Sequence, residues 1–278
     1  MAKGATATPD APAEQSTGLA VINPNTFLAL NLPEEIKAAQ EAAAATGETF
    51  GVGDLVRVKT PAGGGTNWVI PSAAGDESTP EIVGVLCCYQ PAGVLWPSDD
   101  PAPGTLPVLR TFNPTDPNAV AEQVGPIPDG MMDSLMKHKI SDGPPATFKW
   151  ANLPQNQWGS GKRQIGKACK ESRMLFILRQ GDIYPLLVRA QPGSIRNVTQ
   201  FFRQLTPTAK VPYFRCVVSL TLTKATSKGG QEFSKIVPRL VGILPSDTGE
   251  IIRQKYTAVL QTIVKQIDDE PAETEGDE

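Results

Sequence analysis

Proline and glycine, 26 and 25 of 278 residues, cut this chain into short apolar runs. Clusters such as PAGGGT at 61–66 and WPSDDPAPGTLP at 96–107 separate strand-sized segments at 54–59, 81–90 and 106–112. Further strands are predicted at 173–178 and 183–190, then at 213–224 and 231–244, the last two joined by a hairpin loop, ATSKGG. Alternation is clearest after Cys216, where Val218, Leu220 and Leu222 share one face and Ser219, Thr221 and Thr223 the other.

Three segments read as helices. EEIKAAQEAAAAT follows Pro33, begins with acids where the helix dipole favours them, and stops at Thr46 and Gly47. From Ser194, an expected N-cap, Ile195, Val198, Phe201, Phe202 and Leu205 recur at helical spacing while Arg196 and Arg203 stay on the polar side. The last helix opens with Asp247 and Glu250 in capping-box spacing and carries Ile252, Tyr256, Val259, Leu260, Ile263 and Val264 on its apolar side.

The fold class predicted is mostly β with a few helices (α+β). Three groups of strands, a helix and two more strands is the element order of an OB-fold, so the expected architecture is an OB-fold-like antiparallel barrel with long loops and a C-terminal helix. It is bounded at 21–267, with a Pro-rich insertion at about 91–147 whose stretch 113–145 shows little periodicity and reads as a long ordered loop. Residues 1–20 and 268–278 hold almost nothing to bury and are expected to be disordered tails.

The overall charge of −3 conceals a strong asymmetry. Between Lys149 and Arg239 stand sixteen Lys or Arg and only three acids, Glu171, Asp182 and Glu232, leaving −16 for the other 187 residues. Like charges so concentrated repel unless a polyanion or the chain's own acidic segments neutralise them. The densest stretch is KWANLPQNQWGSGKRQIGKACKESR, 149–173. It offers Lys149, Lys162, Arg163, Lys167, Lys170 and Arg173 as phosphate partners, and Trp150 and Trp158 as stacking platforms for unpaired bases. If 162–172 is helical, Arg163, Lys167 and Lys170 form one basic stripe. Further along, Arg189, Tyr213, Arg215, Lys224 and Lys228 interleave cations and rings and join the candidate site. The blander reading is core packing for the tryptophans and ordinary solvation for the cations.

Other chemistries find little footing. GSGK at 159–162 is not a phosphate-binding P-loop, because Asn156 stands where the first Gly belongs and Arg163 where Ser or Thr is needed. The single histidine, His138, has no second His for a metal pair and no acid pair beside it. Four cysteines, Cys87, Cys88, Cys169 and Cys216, include no CxxC, so neither a disulfide framework nor a thiolate zinc site is expected, and the thiols should be reduced and buried. No catalytic residue, metal or cofactor is predicted. The start, MAKGATATPDAPAEQSTG, lacks the pattern of a secretion signal, and the longest apolar run, 82–88, is too short to cross a bilayer, so the expected location is the cytoplasm.

Three stretches, NLPQNQWGSGKRQIGKACKESRMLFIL, QPGSIRNVTQFFRQL and YFRCVVSLTLTKATSKGGQEFSKIV, make the chain resemble bacteriophage single-stranded DNA-binding proteins with an OB-like core. The resemblance covers roughly 150–237. It implies binding of single-stranded DNA in phage replication or recombination, in the host cytoplasm, with no cofactor and little sequence preference. Some members of that group carry a cysteine pair just before the Pro-x-Asn unit; Trp150 and Leu153 occupy that neighbourhood here, so their metal site would be absent.

The acidic tail, Asp268, Asp269, Glu270, Glu273, Glu275, Asp277 and Glu278, would compete with nucleic acid or dock replication or recombination proteins, although it lacks the apolar tip of bacterial single-strand binders. RNA remains open as a second ligand, as does a homo-oligomer. Two rival classes stand beside this one: a structural or anti-defence protein meeting an acidic protein partner, and a DNA-processing nuclease or recombination enzyme.

Overall fold

The structure, a computed structural model, describes residues 55–264 apart from 73, 103, 165, 228 and 229, and before them 20, 21, 23, 26, 27, 38, 41 and 45. The tails expected at 1–20, save Ala20, and at 268–278 lie outside the described residues, as does most of the helix expected after Pro33, of which Ala38, Glu41 and Ala45 are helical.

The chain is mixed α/β and mostly strand. In order it forms β1 (Ala20–Val21), β2 (Arg57–Val58), β3 (Trp68–Ile70), β4 (Glu77–Thr79), β5 (Glu81–Leu95), β6 (Leu109–Thr111), β7 (Val120–Gln123) and α1 (Asp129–Met136). There follow β8 (Lys139–Ser141), β9 (Thr147–Lys149), β10 (Lys170–Arg179), β11 (Leu186–Ala190), α2 (Pro192–Ala209), β12 (Cys216–Thr226) and β13 (Glu232–Ile243). The last described elements are α3 (Ser246–Ile252), a π-helical turn over Arg253–Thr257, and α4 (Ala258–Ile263).

β5 organises an eleven-stranded sheet. One edge takes antiparallel β10 along nearly its whole length, from Lys170 opposite Val94 to Arg179 opposite Gly84. The other edge forks: β12 pairs with Glu81–Val85 and β6 with Gly93–Leu95. From β12 the sheet runs to β13 and β1, from β6 to β7, β9 and β8, and from β10 to β11 and β2.

Among the described residues no ladder joins β11 to β13, so the expected barrel does not close by strand pairing. The helix α2 takes that place: the Ile236 N–H donates to Ser194 Oγ at 3.0 Å and Asn197 Nδ2 donates to the Ile236 carbonyl at 3.2 Å. Backbone groups on the free edge of β13 are thus satisfied by helix side chains. Ser194 is not the N-cap; Gln191 is, with Pro192 in the first turn. The final helix likewise starts from Pro245, while Glu250 pairs with Arg253 instead of closing a capping box.

Among the described residues three apolar cores form. The first lies between the sheet and α3–α4 and holds Val85, Cys87, Cys88, Phe176, Leu178, Tyr256 and Leu260. The second lies on the other face, beneath α2, and holds Ile82, Leu86, Leu175, Val188, Val198, Leu205 and Leu220. Alternation alone would send Cys87 and Cys88 to opposite faces. A bulge in β5, opposite Phe176 and Ile177 of β10, leaves Cys87 out of register, so both thiols enter the first core, and Thr257 Oγ1 donates to the Cys87 carbonyl at 2.6 Å.

The third core, with Leu109, Ala121, Leu135, Phe148, Trp150 and Leu153, underlies the region expected to be a loop. Residues 113–145 carry β7, α1 and β8 instead. Strands of three or four residues are too short to show a period, and the side chains that hold them, Phe148 and Trp150, come from beyond the segment.

Candidate nucleic-acid interface

The segment 150–170 does not form a basic helical stripe. It makes three single 3-10 turns, Trp150–Asn152, Pro154–Asn156 and Lys162–Gln164, and Lys170 already belongs to β10. Positive φ at Gly159 (88°), Gln164 (61°) and Gly166 (67°) is incompatible with a continuing right-handed helix. The turns are tied to one another instead. The Gly159 N–H donates to the Gly166 carbonyl at 2.7 Å and the Cys169 N–H to the Gln155 carbonyl at 2.9 Å. Ser160 Oγ accepts from the Ala168 N–H at 3.0 Å and lies 2.7 Å from the carbonyls of both Gln155 and Gln157, to one of which it donates.

This cross-tied loop displays Trp158, whose side chain is 82% exposed. Trp150 is the opposite case and is not a stacking platform. Its indole is 0% exposed in the third core, packed so closely on β5 that a Cβ at Gly93 would lie 2.7 Å from its Cζ2. The preceding residues explain the difference: Phe148 and Lys149 are in β9, with Phe148 inward and Lys149 outward, and the 3-10 turn after them folds Trp150 back beneath the sheet.

The cations divide in the same way. Lys149 and Lys170 are exposed; Lys170 Nζ donates to the Lys167 carbonyl at 3.0 Å. Lys162 is exposed and pairs with Asp100 at 2.6 Å, an interaction between solvated groups that competes only weakly with another anion. Lys167 is half-buried, 3.1 Å from Asn156 Oδ1 and 3.5 Å from Glu171. Arg173 is not an open phosphate partner for the loop: it is 3% exposed, donating to the Ser172 carbonyl at 2.8 Å and lying 3.4 Å from Glu171. The Arg163 side chain and all of Lys228 lie outside the described residues.

The later candidates do not line up with these. Arg189 is half-buried on β11 opposite Met174. Tyr213 packs edge-on against Phe214, and burial pushes its hydroxyl up to about 12, which marks a packed ring, not an open platform. Arg215 donates to the Leu244 carbonyl at 2.9 Å and lies against Gly249. Lys224 is exposed and pairs with Glu232 at 2.6 Å. Lys170 sits beside Val94 and Lys224 just past Glu81, at opposite ends of β5, which at about 3.3 Å per residue puts roughly 45 Å of strand between them. Along the sheet the candidates thus divide between the 149–170 segment, with Trp158, and the β12–β13 hairpin.

A third cationic group was missed. Arg196 and Arg203, placed by sequence merely on the polar side of α2, line with Arg173 a cavity of about 360 Å³. Their i, i+7 spacing was the available signal, but it is also that of any solvated helix face.

Among the described residues no three His, Cys, Asp or Glu cluster as metal ligands. All four thiols are free and buried, and desolvation raises them, Cys88 and Cys216 to about 11 and Cys87 and Cys169 further. A thiol held so high is protonated and unreactive at neutral pH. No helix among the described residues is long and apolar enough to cross a membrane.

Compared with protein-family models, with curated proteins and with solved structures, the chain matches none of them.

Proposed function

We propose that the chain is a non-catalytic single-stranded DNA-binding protein, with Trp158 stacking on bases and Lys149, Lys162, Arg163 and Lys170 following the phosphates. The observation that carries this reading is an indole 82% exposed on a hydrogen-bonded loop within 154–170, a stretch with four cations and no acid. Every base offers a π face, so such a platform binds with little sequence preference, and the cations add a salt-dependent term.

The connectivity supports the finer fold reading. β5, β10, β11, α2, β12 and β13 follow the OB order: the first strand pairs with the second and fourth, the helix lies between third and fourth, and the fifth pairs with the fourth. Residues 96–169 then occupy the loop between strands one and two, and ATSKGG the loop between four and five, the two loops with which OB-folds hold oligonucleotides. The two separated basic groups are those two loops. On β10 and β11, the other usual surface, Phe176, Leu178 and Leu187 are buried in the first core, so the contact is assigned to the loops.

A mobility-shift series with single-stranded DNA, duplex DNA and RNA tests the reading, with single-stranded DNA expected to shift at the lowest protein concentration and to stay uncut in Mg²⁺. A second reading rests on Leu106, Val120 and Ile140, 54%, 47% and 57% exposed near the same lobe, which would suit a protein partner. That reading predicts no shift with any nucleic acid.

A further inference from the structure

Between α2 and the start of β10 lies a cavity of about 360 Å³ lined by Arg173, Arg196, Arg203, Thr199, Gln200 and Ile195. Arg196, Thr199, Gln200 and Arg203 stand at i, i+3, i+4 and i+7, one face of the helix, and Arg173 closes the cavity from the strand. The charges there are not balanced. α2 has no acid in its eighteen residues, and neither Arg196 nor Arg203 has an ion-pair partner among the described residues. Arg173 is 3% exposed, and its one carboxylate, Glu171, is shared with Lys167. A buried guanidinium with half a counter-ion is costly, and a second anion would relieve it. Thr199 Oγ1 is buried with no hydrogen-bond partner, although a helical threonine ordinarily bonds the carbonyl one turn back.

We propose that this cavity binds a phosphoryl oxyanion, carried by a nucleotide or by a nucleic-acid strand. Guanidinium forks match phosphate oxygens in pairs; Arg196 and Arg203 offer two from one helix face, and Arg173 lines the same cavity. The volume lies near the lower end of ligand pockets, about 300–1,000 Å³, enough for a phosphate and part of the group it esterifies. No residue of the Trp158 loop lines the cavity, so the inference survives if the strand-binding reading fails, and fails without harming it.

Thermal unfolding of the full chain is followed in inorganic phosphate, in pyrophosphate, and in chloride at matched ionic strength. Phosphate is expected to raise the melting temperature beyond chloride. In Arg196→Gln/Arg203→Gln, whose exposed helix positions leave folding intact, affinity should fall about ten-fold or more for each arginine. Thr199→Val should melt higher without phosphate yet bind it more weakly, because it removes an unpaired hydroxyl. Anisotropy with oligothymidylate bearing a 5′-phosphate or a 5′-hydroxyl then separates the sources. Preference for the phosphorylated end assigns a terminal monoester, whereas equal binding that the double variant loses assigns an internal diester. Equal stabilisation by chloride, or a phosphate effect unchanged in the double variant, overturns the proposal. So does phosphate binding that emerges only after removal of 268–278, since the acidic tail would then be the occupant.

Discussion

The two tryptophans eight residues apart in the basic segment should respond in opposite ways to truncation. A tryptophan buries about 150–250 Å² when fully enclosed. Trp158, 82% exposed, buries less than a fifth of that, so at roughly 25 cal/mol per Å² Trp158→Ala should cost about 1 kcal/mol of stability or less. Trp150, 0% exposed, should cost about 3–5 kcal/mol, because the transfer term is joined by a cavity under β5. Binding should show the reverse. Loss of one stacked base is worth about 1–3 kcal/mol, which weakens single-stranded DNA binding about 5- to 150-fold in Trp158→Ala. Intrinsic fluorescence provides the assay: Trp68, Trp96 and Trp150 are 0%, 7% and 0% exposed, so iodide should quench Trp158 almost alone, and single-stranded DNA should quench the same fraction. A folded Trp158→Ala protein with native affinity would refute the stacking argument, as would DNA quenching that persists in that variant.

Replacing Lys162, Arg163, Lys167 and Lys170 together by Ala should flatten the log-affinity against log-salt slope by about 1.5–3, at about 0.7 per phosphate on a single strand. The lower figure reflects Lys162 and Lys167, already neighbours of Asp100 and Glu171; an unchanged slope removes the four from the interface. Gly93→Ala should lower the urea midpoint by the equivalent of about 1–3 kcal/mol, since its methyl would sit 2.7 Å from Trp150 and 3.0 Å from Pro114 while leaving the Trp158 loop untouched; a neutral result would mean that this core is slack. Stability should also fall as pH rises from 9 to 11. Cys88 and Cys216 titrate near 9.0 unfolded but about 11 in the fold, so above pH 9 the unfolded chain binds fewer protons and gains ground; urea midpoints constant across that range would contradict the buried thiols.

Elements that bury one face over a long run were legible in the sequence. The helix at Pro192–Ala209 and the hairpin strands from Cys216 and to Ile243 lie close to where spacing and alternation put them. The run ending at Gln90 was read too short, because Pro91 looks like a stop although it sits in a ladder opposite Arg173. The lobe between β5 and β10 was illegible for a different reason: its strands are too short for a period and its core is assembled from Leu109, Leu135 and Trp150, far apart in sequence. Burial of individual site residues was equally hidden. Trp150 and Trp158 both stand in polar, basic surroundings, and the sequence does not reveal that the turn after β9 folds Trp150 beneath the sheet while the 154–170 loop leaves Trp158 exposed.

A chain that grips unpaired nucleic acid through exposed cations and a stacked ring must prefer single strands and lose affinity with salt. A titration of the full chain with fluorescent single-stranded and duplex oligonucleotides, repeated at several salt concentrations, tests it most directly. Tighter binding to the single strand, weakening log-linearly with salt, is the predicted result. Equal affinity for the duplex, or no binding to either at low salt, would contradict it.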